Sequence, residues 1–402
     1  MTNLHKLSIS LLCSLNMVPA CLSAIPPSPQ ESIPLKFPKE DFQYTDDRLK
    51  KSDELFEAAL YPKAIDSYKK LIEELSKDLT NNSNNFNLLL TTRFHLAAAF
   101  FALENYQDAS LELDKNIKLD PSELTSNSRK IRLHSLYLNA LALKNLKKNS
   151  EAKNTLLSYI NSRTVPMPAF YEEAIFEIGL IDFIQQNDVQ AAKAFEDLTE
   201  KNTKPRLFVL SRFYLARIAM KQGKYLAASE ILGNTQSKLP QEDPLFFELN
   251  YLQGEAAFEL KDYSKAISYF DQALPSTHAE KQPWYADTLY HQGWSHLKIG
   301  DEGAKDQNQQ IQHLKDAEGI FDRLVAITPD ENTYLALVQC YLSQSKLSSQ
   351  PEYFEKAEKL LSRHDIYTSK EAKAHALLLR AEAAPSYTAR DQIYRELTEG
   401  ND

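Results

Sequence analysis

The chain has 402 residues, 43% hydrophobic and 25% charged, which is globular usage and enough for two or three compact domains or one extended architecture. Only 9 glycines occur, which argues against nucleotide-binding folds, whose phosphate loops need glycine where the backbone approaches the ligand. The net charge is −9, with Lys and Arg spread along the chain and no basic block, which argues against a nucleic-acid partner.

Residues 1–24 read MTNLHKLSISLLCSLNMVPACLSA. Lys6 and the terminal amine precede an apolar run from Leu7 to about Ala20, too short for a membrane span and suited to a secretory signal peptide. Cleavage after Ala24 is one exit. The other uses Val18-Pro19-Ala20-Cys21, which resembles a bacterial lipoprotein signal; the resemblance implies a signal peptide over 1–20 and lipid on Cys21. The following LSAIPPSPQESIPLKFPKED carries five prolines by Pro38, so residues 21–45 are expected to be an extended tether, with a folded region over 46–402. Cys340, in the apolar ALVQCYL, reads as a small buried hydrophobe, with no intramolecular disulfide framework.

From residue 46 onward one unit recurs. In NYLQGEAAFELKDYSKAISYFDQAL (250–274), Gly254 is followed twelve residues later by Ala266 and then by Phe270 and Ala273. Small residues at this spacing suit two antiparallel helices: Gly254 and Ala266 let the backbones approach, Phe270 fills the groove between them, and LKDY marks the turn. The same offsets give, in chain order, Ala64, Tyr68 and Leu71; Ala97, Ala109 and Leu113; Ala140, Ala152 and Leu156; Gly179, Ala191 and Phe195; Ala216, Ala228 and Leu232; Ala317 and Phe321; and Ala357 and Leu361. Residues 370–397 read as a shorter closing pair.

This pattern resembles the tetratricopeptide repeat, a helix–turn–helix unit with small residues where its helices touch and a proline after the second helix, here Pro121, Pro240 and Pro329. The resemblance covers roughly residues 46–397 and implies an all-α solenoid of about eight to nine helix pairs wound as a right-handed superhelix. The second-helix alanines are 45, 43, 39, 37, 38, 51 and 40 residues apart, whereas the family period is about 34. The excess sits in connectors such as TNNSNNFN (80–87) and GDEGAKDQNQQIQ (300–312), the latter expected to extend a second helix by about three turns.

No HExxH, CxxC, GxSxG or GKS/T sequence occurs. His291 and His296 lie five apart, on different faces of a helix, and read as ordinary repeat positions and not as a metal site. Glu172–Glu173 and Glu73–Glu74 read as solvated helix faces. The sequence therefore implies no enzyme, cofactor or metal.

Three residues before the small position of the first helix stands an aromatic in six consecutive units: Phe94, Tyr137, Phe176, Phe213, Tyr251 and Tyr290. In the tetratricopeptide family this position points toward the concave groove, so the resemblance implies an apolar ladder for a protein or peptide partner. The other reading of the same row is core packing between helices. The next positions along that face are Ala98, Leu141, Leu180, Arg217, Glu255 and Trp294, apolar in the first half and mixed in the second. YLQG, YHQG and FYLA are similar to segments of bacterial envelope repeat proteins of the outer-membrane assembly and Tol–Pal-associated kinds. The expectation is a non-enzymatic envelope adaptor, exported to the periplasm or an outer-membrane lipid anchor. The alternative is a cell-wall or carbohydrate-binding protein whose aromatics stack on sugar rings.

Overall fold

The computed structural model describes residues 46–395 apart from 78–82, 163–167, 201–203, 237–238, 241–242, 275–281, 304–305, 349, 364, 385–389 and 394. The segments read as a signal peptide and a tether, with Cys21, lie outside these residues. The described chain is helical: α1 (Asp47–Glu57), α2 (Tyr61–Lys77), α3 (Ser83–Ala102), α4 (Tyr106–Ile117), α5 (Ser126–Asn145), α6 (Asn149–Ile160), α7 (Tyr171–Ile184), α8 (Asp188–Glu200), α9 (Pro205–Lys221), α10 (Tyr225–Gln236), α11 (Pro244–Glu259), α12 (Tyr263–Ala273), α13 (Tyr285–Lys298), α14 (Gln307–Ile327), α15 (Glu331–Ser348), α16 (Pro351–Leu361) and α17 (Lys370–Ala383). They form two compact units, one ending at Tyr214 and the other beginning at Leu215. Within each unit a helix packs on its neighbours in sequence. Odd-numbered helices also touch the next odd-numbered one, α3 on α5 in the first unit and α11 on α13 and α13 on α15 in the second.

Each of the first six pairs is closed by the same short turn. Ala59, Glu104, Lys147, Gln186, Gly223 and Lys261 have φ between 56° and 69°. The N–H of the following residue donates to the carbonyl five residues back, at 2.8–2.9 Å, as in Lys148 to Leu143 and Asp262 to Ala257. This left-handed cap ends the first helix without orphaning its last carbonyls. Four residues further on, the N–H of each second-helix alanine donates to the carbonyl of that same turn residue, as Ala266 does to Asp262 at 2.9 Å. The register of the second helix is thus set by the end of the first. Five of the six positive-φ residues carry a Cβ, and tertiary packing holds them in a conformation that is disfavoured for L-residues by about 1–2 kcal/mol each.

The turn places a small residue of the first helix against a large residue sixteen positions later, and their sizes are matched. Glycine faces phenylalanine at Gly179–Phe195 and Gly254–Phe270, whereas alanine stands in the same register with leucine at Ala97–Leu113, Ala140–Leu156 and Ala216–Leu232. A Cβ at Gly254 would lie 2.3 Å from Phe270 Cε1, and one at Gly179 would lie 2.8 Å from Phe195 Cε1. Gly293 and Phe321 repeat the glycine version, with a Cβ 2.6 Å from the ring although the residues are twenty-eight apart. The twelve additional residues lie where the turn should be. There the first helix runs into a π-helical turn, Ile299–Gly303, and α14 has 21 residues against 11–13 in α4, α6, α8, α10 and α12. The insertion lengthens the second helix, as its sequence implies.

Cys340 is fully buried on α15, its thiol donates to the Leu314 carbonyl at 3.1 Å, and burial holds its pKa well above the ordinary range. Among the described residues no helix is long and apolar enough to cross a membrane.

The size match predicts energetic coupling. Gly254→Ala should destabilise the protein by about 1–3 kcal/mol through overpacking. Phe270→Leu should also destabilise it, by leaving a void. Urea denaturation of the double variant should show a loss smaller than the sum by about 1 kcal/mol or more, because leucine vacates the space the new methyl needs.

Candidate functional site

The six aromatics singled out by their register occupy different environments. Phe94, Tyr137, Phe176, Phe213 and Tyr251 are buried, between 0% and 3% exposed, and only Tyr290 is half-buried. The first five therefore do not form an exposed ladder. The cause is visible at two of them. Phe170, which caps the start of α7, stacks on Tyr137 with centroids 4.8 Å apart, and Trp284, which caps α13, stacks on Tyr251 at 5.6 Å. Each of these rings is roofed by the aromatic that leads into the next first helix. Phe176 packs against both Phe195 and Tyr214, which stack on each other, and Phe94 packs in a cluster with Leu90, Leu113, Ile131 and Leu138.

The first helices instead bury polar and charged side chains. In the unit ending at Tyr214 the buried carboxylates have lysine partners. Glu173 pairs with Lys204, Glu177 with Lys144 at 2.5 Å, and Asp182 with Lys153 at 2.6 Å. Glu73 and Glu74 are exposed, as expected of a solvated face, but Glu173 is not. It is 3% exposed, because α7 packs along much of its circumference and its acidic first turn faces inward toward Lys204.

In the unit beginning at Leu215, α11 and α13 bring together Glu255, Glu259, Asp287 and His291, with Tyr225 of α10 beside Glu259. Glu255 and His291 are each 5% exposed, and Glu255 Oε1 lies 2.6 Å from His291 Nδ1. Burial opposes a charge on His291, yet Glu255, Asp287 and Glu259 raise its pKa above the ordinary 6.5. Burial, and then the neighbouring Glu255, raise both Asp287 and Glu259. No lysine or arginine pairs with these three carboxylates among the described residues. A protonated His291 offsets one charge and leaves an acidic excess. The half-buried Tyr290 meets His291 edge-on at 5.5 Å and Trp294 at 6.2 Å, and the Trp294 Nε1 is buried with no hydrogen-bond partner among the described residues.

One turn beyond, His296 of α13 meets His313 and Asp316 of α14. His296 Nδ1 lies 3.0 Å from His313 Nδ1 and 3.7 Å from Asp316 Oδ2. Burial holds the His296 pKa down at about 4, with Asp316 pulling the other way. His291 and His296 take separate environments, as their five-residue spacing requires. Sequence reading missed His313 and Asp316, whose His-x-x-Asp spacing puts both on one helix face; the insertion hid which helix that face would meet.

The tetratricopeptide repeat family model matches residues 213–281, which span the end of α9 through α12. Over these residues the chain is similar to the tetratricopeptide repeat. In solved structures, the chain is similar in fold to the apo form of RapI (14% identity, 88% of this chain and 98% of that chain, TM-score 0.48). It is also similar to a tetratricopeptide repeat protein from Parabacteroides merdae (16% identity, 73% and 97%, TM-score 0.44). A third similar structure is the apo form of the quorum sensor NprR from B. thuringiensis (14% identity, 89% and 98%, TM-score 0.45). No curated protein matches the chain in sequence. The Glu255–His291 pair lies across the end of the tetratricopeptide match, Glu255 inside it and His291 in the next helix pair.

The raised pKa of His291 links stability to pH. The folded protein holds this proton more tightly than the unfolded chain, so the contribution is full below pH 6.5 and is lost as pH rises through the folded value. The Tm difference between wild type and His291→Gln should therefore be largest at about pH 6 and shrink by about pH 9, as read by thermal denaturation across that range.

Proposed function

We propose that the protein is a non-enzymatic scaffold of the bacterial cell envelope that binds a protein partner on the face formed by its first helices. The observation that carries the reading is the acidic cluster of Glu255, Glu259 and Asp287. Comparable buried carboxylates in the other unit are matched by lysines of the same chain, while these have one histidine among them. Half-buried carboxylates such as Glu259 and Asp287, whose pKa values are raised by burial and then by Glu255, are stabilised by an incoming cation. The half-buried Tyr290 and Trp294 supply an aromatic edge of the kind that anchors partners. The preferred partner is accordingly a peptide segment with a lysine or arginine beside an apolar residue.

Tetratricopeptide units generally hold peptide or protein partners, and the matched residues 213–281 include Glu255 and Glu259 of the acidic cluster. The aromatics that sequence register assigns to the groove are replaced in this reading by the polar groups next to them, with Tyr290 retained. Export and a lipid on Cys21 complete the proposal, resting on the apolar run before VPAC and the proline-rich stretch after it.

A photo-crosslinking residue at Tyr290, in cells expressing the full chain, should give a protein adduct, and the same probe at the exposed Lys265 should give none. Glu259→Lys places a cation in the cluster and should remove the adduct while leaving the protein folded. An adduct that persists in Glu259→Lys, or that forms equally at Lys265, would sink the acidic-site reading. Separately, metabolic palmitate labelling should mark wild type and not Cys21→Ser, and the variant should move from the membrane to the soluble fraction. Equal labelling of both would remove the lipid anchor.

A further inference from the structure

We propose that His296, His313 and Asp316 form a binding site for a borderline divalent cation of the zinc class, clamping the long inserted helix α14 to α13. The three donor atoms, one from each residue, lie within 4.8 Å of one another. Two come from one face of α14, three residues apart, and the third from the last turn of α13, so the site spans two elements that the sequence separates by the insertion.

The geometry suits chelation in three respects. First, at zinc–nitrogen distances of about 2.0–2.1 Å, two ligands of a tetrahedron stand about 3.3 Å apart. The Nδ1 atoms of His296 and His313 are 3.0 Å apart, so a metal needs them to part by a few tenths of an ångström. Asp316 Oδ2, 3.7 Å from His296 Nδ1, needs a similar movement inward. Second, the other Asp316 oxygen, Oδ1, accepts from the Gln312 side-chain amide at 2.8 Å. That bond orients the carboxylate with Oδ2 toward the imidazoles, which is the role of an outer-shell partner in metal sites. Third, the His296 side chain is 11% exposed while Asp316 is 40% exposed. The His296 imidazole is sheltered and the carboxylate side is open, leaving a fourth position for water or a partner's ligand.

Two imidazoles and one carboxylate are a nitrogen-rich set. It favours zinc and its neighbours among transition metals over Ca²⁺ or Mg²⁺, which take six or more oxygens or keep their waters. In the metal-free state the two Nδ1 atoms share one proton in a hydrogen bond. Coordination needs a lone pair on both, so that proton moves to a ring Nε2 or to solvent as the metal enters. The site is separate from the acidic cluster around Glu255, and its test does not depend on a partner.

The full-length protein, stripped with a chelator, is titrated with Zn²⁺ by calorimetry, with Ca²⁺ and Mg²⁺ as comparisons. One Zn²⁺ should bind and raise Tm, with no comparable heat from the other two ions. His313→Gln and Asp316→Asn should each remove this binding while keeping the metal-free Tm of wild type within a few degrees. Gln312→Ala should weaken it by about 10-fold or more. Co²⁺ should give a visible absorption band in wild type that is lost in His313→Gln. The proposal is overturned if Zn²⁺ does not bind, if it binds equally to His313→Gln and Asp316→Asn, or if Ca²⁺ binds as tightly.

Discussion

The fold depends on one close approach, that between a small residue near the end of each first helix and a large residue sixteen positions later on the second. A helix pair buries too little apolar surface to be stable alone, so it must meet its partner and its neighbours at short range. Where the second helix offers Phe195 or Phe270, only glycine leaves room, with a Cβ at 2.3–2.8 Å ruled out by the ring. Where it offers Leu113, Leu156 or Leu232, alanine fills the space left by the smaller group. The left-handed cap between the helices makes this match reproducible, because one residue both ends the first helix and sets the register of the second.

That constraint also explains the seventh pair. Twelve additional residues remove the tight turn, yet Gly293 still faces Phe321, because α14 grows backward by extra turns and not sideways. The insertion leaves His313 and Asp316, which follow it at the base of the lengthened helix, opposite His296. A length change tolerated by the packing thus creates a chemical neighbourhood that the other pairs lack.

Charge is distributed differently in the two units. Removing one partner of a buried ion pair costs about 3–5 kcal/mol, whereas an exposed pair contributes about 0–1 kcal/mol. Pairs such as Lys153–Asp182, with the carboxylate 2% exposed, therefore belong to the first class. Around Glu255 no lysine or arginine among the described residues pairs with the carboxylates, and the resulting excess is what we propose a partner completes. Each unit buries carboxylates on the same kind of helix.

The sequence by itself determined the helix pairs. Small residues twelve apart, followed by a large one, are a local pattern whose meaning depends only on helix geometry, so Gly254, Ala266 and Phe270 could be placed without coordinates. It also determined that the 300–312 insertion would lengthen a helix, and that Cys340 would be buried. Only the tertiary structure decided which way the aromatic row faces. Phe170 and Trp284 lie thirty-three residues beyond Tyr137 and Tyr251, across irregular connectors, and nothing local says that they stack there. Likewise Glu173 looks solvated in sequence beside Glu172, and becomes buried because α7 packs along much of its circumference, with Lys204 as its charge partner. Periodicity fixes what a helix can present, but what covers it is set by neighbours whose distance along the chain varies from unit to unit.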